Sequence, residues 1–236
     1  MSAPPVLDVS GLARHYGELV ALRDLDLRVR PGECVAMIGH NGSGKTTAVR
    51  LIAGLLDPSA GVVEVDGASI HEEPAAVQAR AALALVPDTP SLYDDLTVRE
   101  HLQLVAVAHG VPPDDSQIEE LLRRLGLGEK LEAMPGTLSR GMRQKVQLAC
   151  ALVRPWRVLV LDEPVVGLDP ASQRTLRDLL LEAKRAGRSV VLTTHQLEFA
   201  RGIADRAIVL SDGVVVAAGP YDEIVDGPVI REYGLL

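Results

Sequence analysis

Short runs of β-branched and other apolar residues alternate along the chain with stretches of helical period, the pattern of a sheet covered by helices. Val6 to Val9, Leu25 to Val29, Cys34 to Ile38 and Val62 to Val65 read as strands separated by Gly and Pro. Val158 to Leu161 and Val190 to Thr193 are continuous runs of the length expected for fully buried parallel strands. Ala207 to Leu210 and Val214 to Ala217, joined around Asp212-Gly213, predict a hairpin. From Thr97 to Ala133 the period changes: Leu102, Val105, Ala106 and His109 recur at helical spacing, Pro112-Pro113 interrupts, and Ile118, Leu121, Leu122 and Leu125 resume before Gly126. The expectation is a single domain over 1–236, with an α/β core of about 1–89 and 156–236 and a helical insertion of about 90–155.

Length and composition narrow the class. The 236 residues suit one sizeable α/β domain, and 47% apolar with 24% charged is ordinary for a soluble globular protein. The net charge of -8 argues against nucleic acid as the main partner. No stretch approaches the roughly 18 apolar residues that span a bilayer, and Met1 to Leu7 lacks the regions of a signal peptide. The chain is expected to stay in the cytoplasm. Cys34 and Cys150 lie in apolar segments and read as buried thiols of a reducing compartment.

The chemistry is concentrated in two strings. Gly39-His40-Asn41-Gly42-Ser43-Gly44-Lys45-Thr46 fits the phosphate-binding pattern G-x-x-x-x-G-K-[ST], with Thr47 following. It follows the predicted strand ending at Ile38 and opens a predicted helix, Thr46 to Ala53. Glycines there let backbone N–H groups and a helix N-terminus face negative charge. Lys45 is the candidate for the β- and γ-phosphates, and the Thr46 hydroxyl for Mg²⁺. Leu159-Val160-Leu161-Asp162-Glu163 supplies the second half. Asp162, at the end of a buried strand, is a candidate magnesium ligand. Glu163 is the candidate to orient and polarise the attacking water.

With Leu138-Ser139-Arg140-Gly141-Met142-Arg143-Gln144 added, the chain resembles the nucleotide-binding subunits of ATP-binding-cassette transporters over essentially its whole length. That segment is similar to the family's signature sequence. Pro164-Val165-Val166-Gly167-Leu168-Asp169 looks like its D-loop and Thr193-Thr194-His195 its switch histidine. Tyr16 matches the aromatic residue that stacks on adenine. The resemblance implies a P-loop NTPase core with an N-terminal antiparallel β-subdomain and an inserted α-helical subdomain. It implies an ATPase that uses ATP and Mg²⁺, with Lys45, Glu163 and His195 catalytic. ATP is then sandwiched between two subunits, Ser139 and Gly141 of one capping the γ-phosphate held by Lys45 of the other. The resemblance implies as partners a homodimeric copy or a sister subunit and a separate membrane-spanning permease, with this chain peripheral on the cytoplasmic side of the cell membrane.

Two residues depart from the family pattern. Asp88, in Val86-Pro87-Asp88-Thr89-Pro90, stands where the family usually has Gln. As a metal ligand it adds charge near Asp162 and Glu163 and predicts altered metal dependence; the plainer reading is a loop residue. Arg140 replaces the first Gly of the signature and either adds charge near the γ-phosphate or faces solvent. Leu92-Tyr93-Asp94-Asp95-Leu96-Thr97 with Glu100 is the candidate permease contact, or else an ordinary exposed helix start. The whole resembles subunits of efflux-type permeases. The alternative is an assembly ATPase of the same fold, such as the iron–sulfur cluster type; a small-molecule kinase has no use for the signature.

Overall fold

The computed structural model describes residues 3–235. In chain order its elements are β1 (Leu7–Tyr16), β2 (Leu19–Val29), β3 (Cys34–Ile38), α1 (Lys45–Ile52), β4 (Ala60–Val65), β5 (Ala68–Ser69), α2 (Ala75–Ala82) and β6 (Leu83–Val86). Three helices follow, α3 (Val98–Ala108), α4 (Asp115–Arg124) and α5 (Arg140–Leu152). The chain then runs through β7 (Val158–Asp162), α6 (Pro170–Arg185), β8 (Ser189–Thr194), α7 (Leu197–Ala200), β9 (Arg206–Ser211) and β10 (Val214–Pro220). Two short helices follow, α8 (Tyr221–Val225) and α9 (Pro228–Glu232).

Among the described residues the strands form two sheets. One is four-stranded and antiparallel, in the order β2-β1-β4-β5. The other is six-stranded, in the order β10-β9-β3-β8-β7-β6, and parallel except for the edge strand β10. Successive side chains of a strand leave opposite faces, and the central strands use both. Cys34, Ala36 and Ile38 join one apolar cluster with α5 and α6, while Val35 and Met37 join another with α1 and the antiparallel sheet. That two-sided burial is why β3, β7 and β8 read as continuous apolar runs rather than alternating ones.

The expected strands are all present, and several are longer than their apolar cores. β1 and β2 run 10 and 11 residues because polar positions such as Arg14 and His15 still pair in the ladder. The helices α2 and α6 and the short strand β6 were not anticipated from the pattern. In α3, Leu102 and Ala106 are buried, but His109 is exposed at the C-cap rather than on the apolar face. Thr97, not Asp94 or Asp95, caps α3: its hydroxyl accepts from Glu100 N while the Glu100 carboxylate accepts from Thr97 N. Cys34 and Cys150 are buried free thiols, as expected. Among the described residues no helix is long and apolar enough to cross a membrane.

Candidate functional site

The order β3-β8-β7 brings three carboxyl ends side by side. Ligands of open α/β sheets bind beyond such ends. The Gly39–Thr46 loop leaves β3, Asp162 and Glu163 close β7, and His195 follows β8, which lies between them.

The loop is shaped by close approaches. A Cβ on Gly39 would meet the Leu210 carbonyl and the Ser43 side chain, so only glycine passes there. Gly44, the N-cap of α1, has φ +103 and lies against the Ala21 carbonyl. The turn thereby sets the first residues of α1 on the wall of a cleft of about 680 Å³. His40, Asn41, Gly42, Gly44, Lys45, Thr46 and Thr47 line it, as do Asp88 and Glu163. Glu18, Leu19, Arg23 and Asp212 form other parts of its wall.

Lys45 is buried, and its ammonium donates to the carbonyls of Gly39 at 2.6 Å and His40 at 3.0 Å. Its Nζ lies 3.8 Å from Glu163 Oε1. Burial holds the Lys45 ammonium below the usual lysine range, opposed by the charges of Glu163 and Asp162. Glu163 adopts φ +48, a left-handed conformation that costs a non-glycine residue about 1–2 kcal/mol. The backbone is held there because Glu163 N donates to Thr193 Oγ1 at 2.9 Å. Thr193 Oγ1 in turn donates to Asp162 Oδ1 at 2.6 Å. His195 Nδ1 lies 2.9 Å from Glu163 Oε2. Ser43 Oγ and Glu163 Oε1 are buried with no hydrogen-bond partner among the described residues.

The other expected residues stand apart from this cluster. Ser139 caps α5, its hydroxyl accepting from Met142 N at 3.3 Å. A Cβ on Gly141 would come within 2.6 Å of the Gly167 carbonyl, so the signature helix rests directly on the D-loop segment. Neither Ser139 nor Gly141 lines the cleft of its own chain. Tyr16 is 47% exposed near the cleft rim and is not itself a lining residue. Arg140 is exposed.

A family model described as ABC transporter matches residues 22–166, a span that holds the phosphate loop, the signature segment and Asp162-Glu163. The chain belongs to the ABC transporter family. EcsA, an ABC-type transporter ATP-binding protein of Bacillus subtilis, is 35% identical over 93% of this chain and 89% of its own. The Nod factor export ATP-binding protein I of Ralstonia nicotianae is 34% identical over 95% of this chain and 70% of its own. A solved ATP-binding subunit of an ABC transporter superposes with TM-score 0.85 at 35% identity, covering 98% of this chain and 94% of that one.

The protein is therefore an ATP-binding subunit of an ABC transporter, an ATPase coupled to transport. One residue of the subunit's cluster was not singled out from the sequence. In the sequence Thr193 stands only as part of the string before His195, whereas in the fold its hydroxyl ties Glu163 to Asp162. The available signal is a hydroxyl directly after the buried apolar run Val190 to Leu192; Thr193 is fully buried.

Proposed function

We propose that the subunit hydrolyses ATP in a composite site completed by a second ATP-binding subunit, and that this drives a separate membrane permease. The observation that carries the reading is the unpartnered buried oxygen Glu163 Oε1, 3.8 Å from the Lys45 ammonium on the wall of the cleft, with Ser43 Oγ of the loop likewise unpartnered. Buried polar atoms without partners are costly, and a polyphosphate with its water is the kind of ligand that satisfies them. Gly39, Asn41, Gly42, Ser43, Gly44, Lys45, Thr46 and Thr47 cradle the phosphates, chiefly through backbone N–H groups and the Lys45 charge. Tyr16 stacks on the base. Glu163 orients and deprotonates the attacking water, and His195 steadies that carboxylate and reaches the γ-phosphate.

The donor set suits Mg²⁺. Thr46 and Asp162 offer hard oxygens, and Asp88 on the cleft wall adds a third. Among the described residues no group of three or more His, Cys, Asp and Glu is arranged to hold a metal alone. An ion held by these residues would share its coordination with the nucleotide, as Mg²⁺ commonly does. When bound, it neutralises charge on the phosphates during transfer.

Ser139 and Gly141 line no part of their own chain's cleft, which supports their acting on the nucleotide of a second copy or a sister subunit. The helical part, about 90–155, is read as the permease-facing region of a single 1–236 domain. The subunit then works as a peripheral protein at the cytoplasmic face of the membrane. Export is the favoured direction, because the Ralstonia relative is named for the export of Nod factor.

The test is Glu163→Gln, sized by chromatography with and without ATP. An ATP-dependent dimer that no longer hydrolyses supports the reading. A variant that stays monomeric with saturating ATP, alone and beside its genomic partner subunits, counts against the composite site.

A further inference from the structure

We propose that Arg14 is a positioning residue for the nucleotide base, holding the Tyr16 ring ready to receive a purine on its open face. The inference rests on the reading of Tyr16 as the base-stacking residue. Arg14 and Tyr16 are two positions apart on β1, on either side of a register shift in its pairing with β2. The Arg14 guanidinium lies over the Tyr16 ring, its Cζ 4.6 Å from the ring centre. It is anchored from behind: Nη1 donates to the Asp57 carbonyl at 2.8 Å. Arg14 Nε is buried and has no hydrogen-bond partner among the described residues. At 4.6 Å the guanidinium and the ring are within the range where a cation and a π face attract.

The consequence is directional. One face of the ring is occupied, yet Tyr16 remains 47% exposed. Its strand partner Leu19 lines the cleft, as do Glu18 and Val20. With the Arg14 cation over one face, the other face is the one left for a base that arrives from the neighbouring cleft. The cation draws electron density away from the near face, which favours stacking by an electron-rich purine. It also restricts the ring's rotation before the nucleotide arrives, so less ordering cost remains at binding. Arg14 lies outside the cleft lining that holds the phosphate loop, so its effect is expected on the base and not on the phosphates.

The experiment is calorimetric titration of the full chain with Mg-ATP and, separately, with Mg-tripolyphosphate, which lacks a base. Arg14→Met is expected to weaken ATP binding about three-fold, the scale of one partly exposed cation–π contact, and to leave tripolyphosphate affinity unchanged. Arg14→Gln keeps a donor for the Asp57 carbonyl without the charge and is expected to match Met, while Arg14→Lys recovers most of the loss. In the Tyr16→Ala background the Arg14→Met effect is expected to vanish. Equal weakening of both ligands, or unchanged ATP affinity in both Arg14→Met and Arg14→Gln, overturns the proposal. If Tyr16→Ala weakens ATP binding and the Arg14 variants do not, only the role of Arg14 falls. If Tyr16→Ala itself leaves ATP affinity unchanged, the base-stacking reading falls and the inference with it.

Discussion

His195 Nδ1 stands 2.9 Å from Glu163 Oε2, so the histidine after β8 holds the carboxylate that follows β7. Glu163 Oε2 is thereby engaged while Oε1, 3.8 Å from the Lys45 ammonium, has no hydrogen bond. A carboxylate pinned on one oxygen and open on the other suits a group that must accept a proton from water in a fixed direction. In the proposed mechanism His195 acts through Glu163. His195→Ala is predicted to lower ATP turnover by about 10²-fold, the usual worth of a positioned acid–base system, with ATP affinity held within a few-fold. Turnover near that of the unaltered chain in a steady-state phosphate-release assay would rule out the coupling.

Thr193 makes the second prediction. Its hydroxyl accepts from Glu163 N and donates to Asp162 Oδ1. Thr193→Val keeps the volume and leaves the Glu163 N–H without its acceptor, a loss of about 1–3 kcal/mol for a buried donor. The left-handed backbone at Glu163 also loses its tether. Urea unfolding is expected to report lower stability, and the phosphate assay reduced turnover. Thr193→Ser, which retains the hydroxyl, is expected to recover most of both.

Asp88 lies on the cleft wall, exposed, in the position where the family pattern has Gln. If it helps to hold the ion, Asp88→Gln removes one charged oxygen and raises the half-saturating Mg²⁺ concentration about three-fold, since affinity follows ligand charge. Maximal turnover is expected to change less. An unaltered Mg²⁺ titration would make Asp88 a plain loop residue.

The two cysteines allow a pH prediction. Burial pushes both the Cys34 and Cys150 thiols up to about 12 from an ordinary 9.0. Each is neutral at pH 8 and lacks the reactive thiolate, so a thiol-specific reagent is expected to label neither in the folded chain. The stabilisation from a raised value is full below pH 9 and is lost as pH rises from 9 toward 12, because the unfolded thiols ionise first. Denaturant midpoints are therefore expected to fall across that window, and to fall less in Cys34→Ala. Rapid labelling at pH 8 under native conditions would contradict the burial.

What the sequence alone determined is local. The Gly39–Thr46 string, Asp162 next to Glu163 and the Ser139–Gln144 segment are each written within a few consecutive residues, and such strings read without a fold. The buried strands were legible because burial on both faces leaves an uninterrupted apolar run in β3 and β7. α2 and β6 escaped because short, weakly periodic segments take their structure from neighbours. Tertiary structure decided the rest. It set β8 between β3 and β7, so that a hydroxyl 31 residues from Asp162 ties that carboxylate to Glu163. It laid Gly141 against Gly167, and it set the Arg14 cation over the ring of Tyr16. These relations depend on strand register and on backbone approach between distant segments. Register is chosen by the burial of the whole sheet at once, and no window of sequence contains that choice.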